Sequence, residues 1–250
     1  MPGRVGAVDG GQRPSWCMSA GAGASLVALG RLRDHAKLMT LPEGNSHRGM
    51  EDRVVDVRGL LREATCFVPA AVAVDGGVTA TDACEYLEHD EWEVALHILV
   101  ELGDAYPAST SFWDVLAQAA RQMRLERTEA WCHWRCWEVV HGVIRADLQL
   151  VPSADPGGRR TPVPGAGVLR PLWHIGDVTA AGDPDMYVAR IWVEDASELA
   201  PGARGSVRLA PLSSERWRRL APGDVITMHE RRPVAGTATI TQVTFPGGVS

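Results

Sequence analysis

Lysine is almost missing from this chain. Lys37 is the only one, and the other basic residues are arginine. A phosphate-cradling loop places a lysine between a glycine-rich turn and a helix. Lys37 stands in no such phrase, and neither G-x-x-x-x-G-K-[ST] nor the guanine-reading Asn-Lys-x-Asp occurs. Long apolar runs are missing too, and crossing a bilayer takes roughly 20 consecutive apolar residues. Ala22 to Leu29 comes nearest to a signal-peptide core, but it is short, contains a Gly and a Ser, and leads into Arg31, Arg33 and Lys37 without a cleavage site. The five cysteines form an odd count at no framework spacing, so reduced thiols and a cytoplasmic setting are expected, with no membrane partner.

A third absence is local. Between Arg62 and Arg121 there is no Lys or Arg, while the same stretch carries Asp82, Glu85, Glu88, Asp90, Glu91 and Glu93 among other carboxylates. Net charge is −6, so the acidity is concentrated rather than spread, because the last hundred residues are nearly balanced and rich in arginine. Such asymmetry bears on partners and association, not on fold.

What is present divides the chain. Residues 1–50 are rich in Gly and small residues without a sustained period; they read as a disordered leader or as a start called too early, with Met39 or Met50 as the true one. Residues 51–150 read as an acidic helical domain. Val54, Val57 and Leu61 make one helical stripe, and Asp82 to Glu88 a short helix. Asp90 is positioned to cap the next helix, which carries Trp92, Ala95, Leu99 and Leu102. Gly103 to Pro107 breaks it, a restart at Ser109 to Ser111 carries Phe112, Leu116, Ala119 and Met123, and a long helix runs from Glu126 to about Ala146. Short connections favour an antiparallel bundle. Residues 151–167 are Pro- and Gly-rich and read as a linker. Residues 168–250 change to strand-like segments at 172–175, 186–193, 206–209, 225–229 and 237–243, with Leu-Ala-Pro-Gly turns at 199–202 and 220–223. Frequent turns between short strands favour a barrel or sandwich.

The last third carries a resemblance. Gly157 to Pro162, GGRRTP, is similar to the Gly-Gly-Arg-His-Thr-Pro phrase that opens the third domain of elongation factor Tu. Arg170-Pro171-Leu172-Trp173 resembles the Arg-Pro-Gln-Phe of that family, Asp177-Val178-Thr179 its Asp-Val-Thr, and the stretch from Met228 to Val243 its closing strand pair. The resemblance implies a six-stranded antiparallel β-barrel used for docking, and hence an α+β chain in which a small antiparallel helical bundle precedes the barrel. In that family the domain helps to hold aminoacyl-tRNA; Arg159, Arg160 and Arg170 are the positions here that could serve barrel docking or RNA contact, the alternative being solvated charges on the barrel rim. The chain departs from the family where Arg160 replaces its His and where Val163 to Gly167 replace the residues that follow Thr-Pro. Without the phosphate loop, no GTP binding or hydrolysis is expected.

A second resemblance covers Cys84 to Leu125, where Glu91-Trp92, Ala95-Leu96 and then Ala120, Met123 and Leu125 are similar to the phrase of small helical immunity proteins of bacterial contact-dependent and polymorphic toxin systems. It implies an acidic face, Asp82, Glu85, Glu88, Asp90, Glu91 and Glu93, held against a basic toxin. The alternative is that this face is merely a solvated one. Cys132 and Cys136, four apart, share a helix face with His133 between them, but structural zinc takes two tight ligand pairs, so no metal or other cofactor is expected. No motif flanks either thiol as a nucleophile. The expectation is a non-enzymatic interaction protein of immunity type; the alternative is a translation-associated module whose barrel binds a translation factor, ribosome or RNA.

Overall fold

Residues 56–230 and 233–246 are described in the computed structural model of the chain. The expected leader, residues 1–50, and Val54 of the first stripe lie outside the described residues. Apart from residues 75–78, the described residues belong to one compact unit, the larger of two.

Within the larger unit, five α-helices precede a closed barrel. Helices α1 (Val57–Phe67), α2 (Ala80–Glu88), α3 (Trp92–Ala105), α4 (Thr110–Gln122) and α5 (Glu126–His141) are followed by strands β1 (Val143–Leu150), β2 (Val163–Pro164), β3 (Leu172–Val178), β4 (Pro184–Val193), β5 (Glu198–Leu199), β6 (Arg204–Pro211), β7 (Val225–His229) and β8 (Val234–Thr244). The barrel closes in the order β1-β6-β4-β3-β7-β8, with every neighbour antiparallel. This is the α+β arrangement of bundle and six-stranded antiparallel barrel. Strands β2 and β5 pair apart from it.

The helical starts follow capping chemistry. Asp56 accepts the backbone N–H of Arg58 ahead of α1, and Ser109 accepts that of Phe112 ahead of α4. Thr79 caps α2, and Asp82 returns a bond to the Thr79 N–H at 2.7 Å, closing a capping box. Asp90 does not cap α3 as its position suggested. It takes a left-handed φ of 58° in the turn, and Glu91 precedes the helix without a side-chain cap bond. Leu61, Leu87, Leu96, Leu99, Phe112 and Trp113 fill the helical core.

The long last helix stops at His141, short of the expected Ala146, and Val143–Leu150 is a barrel strand. Gly142 makes the joint with φ 100° and ψ 175°, a conformation that only glycine adopts without strain. A Cβ there would lie 2.3 Å from the Thr244 carbonyl oxygen. Ile144, Ala146, Leu148 and Leu150 then point into the barrel core, and Arg145, Asp147 and Gln149 away from it. The residues expected as a linker also serve the barrel: Val163 is fully buried in its core.

Helix α5 is covered on two sides. Cys132 faces the helical core. Trp134 packs on Trp192 of β4 and Ala210 of β6, on the outer surface of the barrel wall, and ring centroids of Trp134 and Trp131 stand 5.6 and 4.9 Å from that of Trp192. The outward residues of β4 and β6 are therefore buried as well as the inward ones: Trp192 is 3% exposed and Arg208 5%.

Charges pass through the same seam. Glu138 of α5, 4% exposed, accepts the Trp134 indole N–H at 2.7 Å through Oε1. Its Oε2 meets Arg135 at 2.6 Å and Arg208 of β6 at 2.7 Å. Arg208 continues to Glu194, just past β4, at 2.6 Å; Glu194 meets Arg145 of β1 at 2.8 Å, and Arg135 meets Asp104 of α3 at 3.0 Å. Signs alternate along the row, so no buried charge is left uncompensated. The guanidinium of Arg208 also lies 5.0 Å from the Trp131 ring centroid, and that of Arg135 5.1 Å from Trp113.

Two stability predictions follow from this seam. Gly142→Ala lowers unfolding free energy by about 1–3 kcal/mol, read as a fall in thermal midpoint. Glu138→Leu and Arg208→Met each cost about 3–5 kcal/mol alone by stranding a buried charge. Together they cost less than the sum, because Arg135 keeps Asp104 and Glu194 keeps Arg145; urea titration of the double-mutant cycle measures the coupling.

Candidate functional site

The acidic residues expected to act together are gathered around the α2–α3 turn, but their environments differ. Asp82 is occupied by the capping box, and its bonds from the Thr79 backbone and hydroxyl hold its carboxyl below the usual range. Glu88 receives Arg62 and Arg58 from α1; the hydrogen bond and charge of Arg62, then Arg58, lower its pKa. Asp90 lies 4.0 Å from Arg58. The run without bases in the sequence is thus partly neutralised across the helix pair by arginines that precede it in the chain. Glu85, Glu91 and Glu93 are exposed, and none has an ion-pair partner among the described residues.

The three candidate arginines also separate. Arg159 is 8% exposed and turned inward: its Nε donates to the Thr161 carbonyl at 3.1 Å, Nη2 reaches the Pro162 carbonyl, and Nη1 pairs with Glu230. It holds its own loop against the barrel and does not offer its charge to a partner. Arg160 is exposed. Arg170, also exposed, lines a cleft.

The thiols are shielded. Burial pushes the Cys132 thiol well up, with Cys136 and Asp104 adding to the effect. Cys136 donates to Asp114 of α4 at 3.2 Å, and burial followed by that carboxylate raises its pKa to about 12. Neither supplies thiolate near neutral pH. Among the described residues no group of His, Cys, Asp or Glu is placed to hold a metal ion. No helix among them is long and apolar enough to cross a membrane.

Two clefts flank the α5 seam. One of about 440 Å³ is lined by Trp131, Trp192, Asp104, Arg127, Glu194 and Arg208 among others. Its charges belong largely to the alternating row. Burial raises the Asp104 carboxyl despite the opposing pull of Arg135 and Arg208. The other cleft, about 260 Å³, lies between the last turn of α5, Arg170 ahead of β3, Arg190 of β4, and the end of β6 with the loop after it. Trp137 and His141 form one wall, stacked at 4.6 Å with their planes 12° apart. His141 Nδ1 is 3.0 Å from the Trp137 carbonyl oxygen, which can only accept, so Nδ1 carries a proton. Arg190 lies over Trp134 and Trp137, at 5.0 and 6.0 Å from their centroids.

Sequence reasoning singled out Arg170 but missed Arg190, His141 and Ser214, which line the same cleft. No local motif marks them. The one available signal is the outward phase of Arg190 between inward Ala189 and Ile191 on β4.

No protein-family model matches the chain, and no curated protein matches it in sequence.

On alkylation with iodoacetamide at pH 8, Cys132 and Cys136 stay unmodified in the folded protein and react after denaturation, while exposed Cys66 labels in both. Peptide mass spectrometry reads the difference.

Proposed function

We propose that the chain is a non-enzymatic interaction protein of immunity type, acting in the cytoplasm, whose acidic helical edge docks a basic partner such as a toxin. The observation that carries this reading is the set of exposed carboxylates at the α2–α3 edge, Glu85, Glu91 and Glu93, without an ion-pair partner among the described residues, beside Asp82 in its capping box and the arginine-paired Glu88 and Asp90. Concentrated negative potential steers a basic surface into register and raises its rate of capture, most strongly at low salt. The phrase from Glu91 to Leu125 that resembles immunity proteins covers α3 and α4, the helices that begin at this edge.

A second reading is favoured by the barrel. Six antiparallel strands closed on themselves leave no sheet edge for augmentation, so docking uses outward side chains and loops. Exposed Arg160 and Arg170 are available for that purpose. On this reading the barrel is a module similar to the third domain of elongation factor Tu that binds a translation factor, ribosome or RNA, without GTPase activity.

Affinity capture at low and raised salt separates the two. Under the first reading a basic protein is recovered at low salt and lost as salt rises. Glu85→Arg, Glu91→Arg and Glu93→Arg combined abolish its capture while leaving the thermal midpoint unchanged. Undiminished capture by that triple variant sinks the acidic-edge reading, and recovery of tRNA or ribosomal material supports the second.

A further inference from the structure

Arginine is the main cation of this chain, and its buried copies are paired with care. Arg135, Arg145, Arg159 and Arg208 each meet a carboxylate, and so do the more exposed Arg204 and Arg219. None of these ion pairs reaches Arg170 or Arg190, which share the 260 Å³ cleft. Arg190 is half-buried on the outer face of β4, held by the faces of Trp134 and Trp137 of α5 in place of a counter-ion. Burial lowers its pKa, and the charge of Arg170 lowers it further. Two like charges in one partly desolvated cleft repel, and an anion placed between them removes the repulsion.

The lining also limits which anion. It supplies two guanidinium forks, Arg190 from β4 and Arg170 from the segment ahead of β3, with a Ser214 hydroxyl and the His141 ring, and no carboxylate. A carboxylate offers two coplanar oxygens and one charge, enough for one fork. A phosphate monoester offers three terminal oxygens in a tetrahedral arrangement and nearly two charges at neutral pH, enough for both. Leu212 and Pro211 give the cleft an apolar side on which the esterified group can rest.

We propose that the cleft between α5 and the barrel, lined by Arg170, Arg190, His141 and Ser214, binds a small phosphate monoester. This site stands apart from the acidic edge and requires no protein partner.

The test is isothermal titration calorimetry of the whole chain at fixed ionic strength with inorganic phosphate, a nucleoside 5′-monophosphate, a short single-stranded oligoribonucleotide without terminal phosphate, and acetate. Phosphate and the monophosphate are expected to bind and acetate to give no heat. Arg170→Gln, on an exposed side chain, is expected to weaken both phosphate ligands about tenfold or more, the loss of a charge-assisted hydrogen bond, with an unchanged thermal midpoint. Arg160→Gln removes the same charge elsewhere and is expected to leave binding intact. Ser214→Ala, chosen because Arg190 variants also remove aromatic packing, is expected to weaken binding less. Equal binding of acetate and phosphate overturns the proposal, as does an Arg160→Gln loss matching that of Arg170→Gln. Binding of the oligoribonucleotide without phosphate or monophosphate overturns it too, and makes the cleft a phosphodiester surface instead. Capture of a basic protein by the acidic edge is unaffected by any of these outcomes, so the two proposals fail separately.

Discussion

Beneath helix α5, Glu138 accepts three donors at once, from Trp134, Arg135 and Arg208. The ion pair that joins the helical layer to the barrel is made by this carboxylate. Arg208 belongs to β6, and through Glu194 and Arg145 the row of charges reaches the ends of β4 and the start of β1; through Arg135 and Asp104 it reaches α3. A buried ion row is weak evidence for net stability, because desolvation offsets much of the Coulombic gain. Its effect is on register. Any slip of α5 along the barrel wall strands a charge in a space lined by Trp131, Trp134 and Trp192. The tryptophans supply buried area and the charges fix where it is placed.

That constraint explains how charge is spent elsewhere. Arginines near the seam are committed to carboxylates or to aromatic faces. Arg58 and Arg62 of α1 are committed to Glu88. Among the described residues, Glu85, Glu91 and Glu93 at the α2–α3 edge have no ion pair, and neither have Arg170 and Arg190 in their cleft, where aromatic faces hold Arg190. Cys132 and Cys136 take no part in either. They fill space around α5, with thiols driven towards the neutral form by burial and, at Cys136, by Asp114.

Much of the molecule follows from local rules. Apolar residues at helical spacing placed α1 to α4 to within a few residues, and alternation with Leu-Ala-Pro-Gly turns marked β3, β4, β6, β7 and β8 but not the short β5. The misplacements have physical causes. A β-branched, apolar run after Trp137, Val139 to Ile144, suits helix or strand equally, and only the glycine conformation at 142 and pairing with β6 and β8 make Val143–Leu150 a strand. Pro and Gly content made 151–167 look like a tether, whereas Val163 and Arg159 anchor it to the barrel. Charge counted along the chain likewise missed Arg58 and Arg62, which reach Glu88 from a neighbouring helix.

By itself the sequence determined helices first and short strands after, because helical and strand periods are properties of adjacent residues; the barrel was what the resemblance to the third domain of elongation factor Tu implied, and the pairing of distant strands closes it. The sequence also determined that acidity is concentrated and that no P-loop lysine exists. Only the tertiary structure decided which charges are free. Pairing depends on separations of a few ångströms between residues far apart in the chain: Glu138 with Arg208, Arg159 with Glu230. For that reason the acidic edge shrank to Glu85, Glu91 and Glu93, and a cleft with Arg190 and His141 came into view around Arg170.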